Sequence, residues 1–94
     1  MEPIFKAGDY ITNKSSGDIA IVKGVTKKCY YEFKAYYSSM LNELKDVSDP
    51  KHNLQIHYQK FFELCDEDER QKINTLITNQ NKHLGNNIEV DPNK

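Results

Sequence analysis

The sequence predicts an α+β domain in which a small, strongly twisted antiparallel sheet is capped by a C-terminal helix, as an SH3-like barrel or an open sheet. Three observations predict it. Short runs rich in β-branched and aromatic residues alternate with clusters of Gly, Asn, Asp, Ser and Lys through the first two thirds of the chain. One of these runs, Ile19-Ala20-Ile21-Val22, is apolar without interruption. A capped, amphipathic helical pattern then begins at Asp66. The 94 residues suit one layered core, since a second domain would leave neither half enough apolar surface to bury. Residues 1–84 are therefore read as a single domain and residues 85–94 as a C-terminal tail of low apolar content.

Ile4 to Thr12 form a lead-in segment and a first strand, because Gly8-Asp9 supplies a turn and Tyr10-Ile11-Thr12 has high β propensity. Asn13 to Gly17 are a turn by composition. The strand from Asp18 to Lys23 is expected at the centre of the sheet, covered on both faces, because neither parity of Ile19 to Val22 is polar. Gly24 to Lys28 make a second turn. From Cys29 to Tyr37 one parity carries Cys29, Tyr31, Phe33, Ala35 and Tyr37 and the other Tyr30, Glu32, Lys34 and Tyr36, which is a strand signal with Cys29 facing inward.

A rival pattern overlaps that strand. Phe33, Tyr37, Met40, Leu41, Leu44 and Val47 also fall at spacings of three and four, the stripe of a helix from Glu32 to Val47. The sequence favours a strand followed by a short helix or helical turn over Ser38 to Lys45, with the long helix and a continuous meander as alternatives. Asp46 to Asn53 are a loop around Asp49-Pro50. Asn53 to Gln59 alternate again, Leu54, Ile56 and Tyr58 against Gln55, His57 and Gln59, and are read as a half-buried strand.

The last element is the best specified. Asp66 is an N-cap and Glu69 stands three residues later, so each carboxylate can accept from a backbone amide left unpaired at the helix start. Ile73, Leu76, Ile77 and Leu84 trace the apolar face of a helix from Glu67 to Lys82, with Arg70, Gln71, Lys72, Asn74 and Thr75 outward. Gly85-Asn86-Asn87 ends it, and His83 is placed where it supports the negative end of the helix dipole.

Composition excludes more functions than it names. Thirteen Lys and Arg against fourteen Asp and Glu give no global field that would drive the chain onto nucleic acid or an anionic membrane. No apolar stretch is long enough to span a bilayer, and Met1 to Phe5 do not open a secretory signal, so a cytoplasmic location is expected, in a bacterium or an infected cell. Cys29 and Cys65 are read as reduced thiols, the first in the core and the second packed under the helix cap. His52, His57, His83 and the two cysteines lack the close ligand pairs of structural zinc sites, so no metal is expected. Asp66 to Glu69 lack the spacing and the glycine of a calcium loop and diverge into water from a helix start. With no phosphate loop, nucleophile elbow or dinucleotide fingerprint, neither a cofactor nor an enzymatic activity is expected.

What stands out is aromatic excess, since Tyr30, Tyr31, Phe33, Tyr36 and Tyr37 fall within eight residues. A strand hides both parities only if both of its faces are covered, so some of these tyrosines are expected at the surface. Tyr30, Lys34 and Tyr36 with the Lys27-Lys28 turn are the candidate binding residues. They suit the aromatic centre of a protein interface. The same tyrosines with Lys23, Lys27 and Lys28 could instead stack single-stranded bases. A third reading is a small-molecule or nucleotide sequestering protein whose pocket forms in an oligomer.

Phe5-Lys6-Ala7-Gly8-Asp9-Tyr10-Ile11, the Ile19 to Val22 strand, Tyr30-Tyr31 and Leu64-Cys65-Asp66-Glu67-Asp68-Glu69-Arg70-Gln71-Lys72-Ile73 together resemble a pattern in small, functionally unassigned proteins of gut Bacteroidetes and their phages and prophages. The present chain departs from that pattern in having Cys65-Asp66 where Ala-Thr is usual, and in a longer segment around residues 38 to 52. The resemblance implies a phage or mobile-element context and brings no catalytic residues. Combined with the aromatic excess, it makes a non-enzymatic protein-binding accessory factor acting on a host protein the expected function.

Overall fold

A computed structural model describes the backbone of residues 2–84 and the side chains of residues 2–80; the expected tail, and the side chains of His83 and Leu84, lie outside the described residues. The sheet contains six strands, β1 (Tyr10–Asn13), β2 (Ile19–Val25), β3 (Tyr30–Ser38), β4 (Glu43–Lys45), β5 (Leu54–Gln55) and β6 (Phe62–Leu64). Two 3-10 helices, Pro50–His52 and Ile56–Phe61, precede and follow β5, and the chain then enters helix α1 (Glu67–Leu84). All pairings are antiparallel. The order is β4-β3-β2-β1-β6, with β5 also paired to β3, so the sheet is open and ends at β4 and β6.

As its sequence requires, β2 is central, and Ile19, Ala20, Ile21 and Val22 are all buried. They divide between two clusters on opposite faces, which corrects the expectation of a single core. On one face Phe5, Ile11, Ala20, Val22, Tyr31, Phe33, Ile56 and Phe62 pack together. On the other, Ile73 and Ile77 of α1 seat against Tyr10, Ile19, Ile21, Ala35 and Tyr37.

Two bulges explain how β3 serves both faces. Ile21 pairs with Ala35 but Val22 pairs with Phe33, leaving Lys34 as an extra residue in β3; Val22 to Gly24 then spans Phe33 to Glu32, leaving Lys23 extra in β2. Each extra residue reverses the side-chain alternation locally. Tyr31 and Phe33 therefore join one cluster and Ala35 and Tyr37 the other, although all four share a sequence parity.

Several expectations are corrected here. The second turn is shorter than predicted, since β2 continues through Val25 and the chain reverses over residues 26–29. Cys29 is exposed in that turn with φ of 65°, and does not reach the core. Ser38 to Lys45 form no helix: residues 39–42 turn the chain into β4, with Asn42 in the left-handed region at φ of 53°, where Asn is tolerated. The meander wins over both helical alternatives because the supposed helical stripe serves separate places. Phe33 and Tyr37 face opposite sides of the sheet, whereas Met40 and Leu41 are exposed at the hairpin tip.

The strand predicted over Asn53 to Gln59 shrinks to Leu54–Gln55 and becomes a 3-10 helix. With three residues per turn, Ile56, Gln59 and Phe62 fall on one inward line and all three are buried. The short strand β6 was not anticipated from the sequence.

Helix α1 begins as predicted. The Glu69 amide donates to Asp66 Oδ1 at 2.9 Å and the Asp66 amide to Glu69 Oε1 at 3.0 Å, a reciprocal cap. Asp66→Ala should lower the unfolding free energy by about 0.5–2 kcal/mol in a urea titration. No measurable loss would mean that the cap does not hold the helix start. Arg70 and Asn74, expected to point outward, instead lean on the sheet. The Arg70 guanidinium lies 5.0 Å from the Tyr10 ring centroid, and Tyr10 Oη donates to Asn74 Oδ1 at 2.7 Å.

Candidate functional site

Two concave regions and an exposed aromatic surface stand out among the described residues, both concave regions being lined in part by residues of the cluster opposite α1. The aromatic surface follows from 3-10 geometry in Ile56–Phe61, where residues three apart eclipse. Tyr58 and Phe61 are 44% and 46% exposed, their ring centroids 6.2 Å apart in a stacked arrangement. His57 packs on Tyr58 at 4.1 Å, and the Lys60 ammonium sits 5.3 Å from the Phe61 centroid. No Asp or Glu occurs between Pro50 and Phe62, so this outward face is aromatic and cationic in a chain of net charge −1.

Such a surface persists because the helix is held from beneath. Gln59, buried, is tied to the lead-in segment: its Oε1 accepts from the Ile4 amide at 3.0 Å and from the Tyr31 hydroxyl, and its Nε2 donates to the Glu2 carbonyl at 2.9 Å. Tyr31 Oη in turn accepts from the Ile4 and Phe5 amides at 3.0 and 3.2 Å. The inward residues therefore fix which residues of the 3-10 helix face water.

The first concave region is a cavity of about 190 Å³ over the sheet face. Phe33, Val47, Leu54 and Phe62 make its apolar wall; Tyr36, Lys45, Asp46 and His52 make its polar edge. Tyr36 Oη donates to Asp18 Oδ2 at 2.8 Å, and burial, reinforced by that carboxylate, pushes its phenol pKa well up. The Asp46 carboxylate is held below its ordinary pKa by the Ser48 hydroxyl and amide, which donate to it at 2.6 and 2.9 Å. Tyr36 thus stays protonated and Asp46 ionised at neutral pH, so neither is set to exchange a proton there. The cavity can seat one apolar group with a polar edge beside it.

The second region is an open cleft of about 420 Å³ lined by Lys28, Cys29, Tyr30, Gln55, Ile56 and His57. It lies where the turn after β2 meets the second 3-10 helix, joined by the Ile56 amide donating to the Cys29 carbonyl at 3.0 Å.

The candidate residues drawn from the sequence are dispersed among these places. Lys27 and Lys28 are exposed in the turn, and Lys28 and Tyr30 line the cleft. Lys34 is the extra residue of the β3 bulge, and Tyr36 lines the cavity. The tyrosines expected at the surface are not there, because both faces of β3 are covered: Tyr30 and Tyr36 are half-buried, Tyr31 and Tyr37 buried. The exposed pair that sequence reading missed is Tyr58 and Phe61. Its signal was a period of three, with Ile56, Gln59 and Phe62 on one line and Tyr58 and Phe61 on the next.

Cys65 packs against the helix-side cluster as predicted. Burial, with Glu69 and Asp66 nearby, pushes its thiol from an ordinary value of 9.0 up to about 12. At neutral pH iodoacetamide should therefore label Cys29 and spare Cys65, as peptide mass mapping would show. Equal labelling would mean that the packing around Cys65 opens readily.

Among the described residues no helix is long and apolar enough to cross a membrane, and no three His, Cys, Asp or Glu side chains gather at one point. The fold and surface define a small α+β domain with an open antiparallel sheet and an exposed aromatic edge. Comparison with protein-family models, with curated proteins and with solved structures finds no match to this chain.

Proposed function

We propose that this protein is a non-enzymatic protein-binding module, an accessory factor of phage or mobile-element origin that acts on a host protein. The observation that carries the reading is the exposed Tyr58–Phe61 stack, rigidly presented by the Gln59 and Tyr31 hydrogen bonds beneath it. Aromatic side chains contribute large contact area with few rotors to freeze, which is why they concentrate binding energy at protein interfaces. The Lys27-Lys28 turn, joined to the same 3-10 helix through Cys29 and Ile56, adds cationic groups at the rim. The phage or mobile-element setting rests on the sequence resemblance.

Its test is affinity capture from host lysate with wild type and with the Tyr58→Ala/Phe61→Ala double variant. One partner, identified by mass spectrometry, should be retained by wild type and lost from the variant by at least tenfold, with melting temperatures nearly equal because both rings are half in water. Equal recovery by both proteins would remove this face from the contact.

A second reading has its own observation. The Lys60 ammonium over the Phe61 ring, with His57 against Tyr58, is also an arrangement on which single-stranded bases stack beside phosphates. Salt-dependent fluorescence titration with single-stranded oligonucleotides separates the two, since phosphate contacts weaken steeply as salt rises. Absence of binding at low salt eliminates the nucleic-acid reading.

A further inference from the structure

We propose that the cleft between the turn after β2 and the second 3-10 helix binds a small organic anion through a carboxylate or phosphate group. This goes beyond the protein-contact reading and does not depend on it. The cleft's volume of about 420 Å³ falls within the range of small-molecule sites. Its ionisable lining consists of Lys28, Cys29, Tyr30 and His57, with no carboxylate among them. Lys28 forms no ion pair among the described residues, whose one such pair joins Lys51 to Asp49. Lys28 and His57 line one concavity with no acid among its lining residues, so an anion there has an ammonium and an imidazole within the same residue set to supply charge-assisted and neutral hydrogen bonds.

Neutral groups complete the recognition. Gln55 Nε2 donates to Tyr30 Oη at 3.0 Å, so the phenol oxygen is already accepting and its own proton is left to donate. Tyr30, half-buried on the cleft wall, offers an aromatic residue for the body of the ligand.

The walls are also fixed in place. Tyr30 pairs with Gln55 across the β3–β5 ladder, and the Ile56 amide donates to the Cys29 carbonyl. Thr26 Oγ1 accepts from the Lys28 and Tyr30 amides at 3.3 and 3.2 Å, and the Thr26 carbonyl accepts from the Cys29 amide at 3.0 Å. That network holds Cys29 at φ of 65°, a left-handed conformation that a non-glycine residue adopts only when its surroundings impose it. A turn held this way presents Lys28 to the cleft without first having to be ordered by the ligand.

Cys29 supplies the reporter, because it is a free, exposed cysteine among the residues that line the cleft. The rate of its alkylation by neutral iodoacetamide is measured at constant ionic strength with inorganic phosphate, benzoate, adenosine monophosphate or uncharged adenosine, each at millimolar concentration. Phosphate, benzoate or the monophosphate should slow alkylation severalfold, and the protection should disappear in Lys28→Ala and in His57→Ala while surviving in Lys14→Ala. Protection by phosphate alone assigns the site to the anionic group; stronger protection by the monophosphate assigns it to an anion carried on a ring. The proposal is overturned if none of the three anions protects, if adenosine protects as well as its monophosphate, or if Lys28→Ala leaves the protection intact. Circular dichroism melts of the variants establish that a lost effect is not a lost fold.

Discussion

Ile73→Ala should lower the unfolding free energy by about 2–5 kcal/mol, the cost of removing buried methyl groups from a site whose walls cannot fully close. Ile73 is fully buried and, with Ile77, is one of the two buried α1 members of the cluster that seats the helix on Tyr10, Ile19, Ile21, Ala35 and Tyr37. A domain of this size holds about 5–15 kcal/mol in total, so one such cavity takes a large share. In a thermal melt each lost kcal/mol should appear as roughly 4–8 °C. Thr75→Ala, on the exposed face of the same helix, should change stability by less than about 0.5 kcal/mol. Because Ile73 and Ile77 line one contact a helical turn apart, the double alanine variant should cost less than the sum of the single ones. An Ile73→Ala protein as stable as wild type would mean that α1 does not close that face of the sheet.

Tyr31→Ala should cost about 3–5 kcal/mol, because the ring is fully buried and anchors the opposite cluster against Phe5, whose ring centroid lies 5.8 Å away. Tyr31→Phe is the more informative change. It keeps the ring but deletes the oxygen that accepts from the Ile4 and Phe5 amides and donates to Gln59. Ile4 retains Gln59 Oε1 as an acceptor, whereas the Phe5 amide loses the partner described for it and is left buried. The expected penalty is about 1–3 kcal/mol, that of an unsatisfied buried donor. Amide hydrogen exchange at Phe5 should accelerate beyond the change in global stability, since the lead-in segment is released locally. If exchange at Phe5 rises no more than elsewhere, the hydroxyl is not what holds the N-terminal segment on the sheet.

Where sequence reading succeeded, the determinants were local. Asp66 and Glu69 are three residues apart and form each other's cap without help from the rest of the chain. Ile19 to Val22 require cover on both faces wherever they sit, and that alone places β2 in the middle of the sheet. Where it failed, a distant contact had decided between two local patterns. Leu54, Ile56 and Tyr58 alternate as in a strand, yet Gln59 gains three hydrogen bonds to residues 2, 4 and 31 only if the backbone tightens to a period of three. The candidate contact residues suffered in the same way. The sequence puts Tyr36 at the surface because β3 carries aromatics on both parities, but Asp18, just before β2, accepts from its hydroxyl and Phe33 packs its ring at 5.5 Å.

The chain's residue order by itself determined the α+β class, the central strand and the start of the terminal helix, because each depends on side chains within one turn or one strand of each other. Only the tertiary structure decided which face of the sheet each β3 residue serves and which aromatics remain in water. The physical reason is register: the bulges at Lys34 and Lys23 are properties of two paired strands, and no single strand's alternation encodes them.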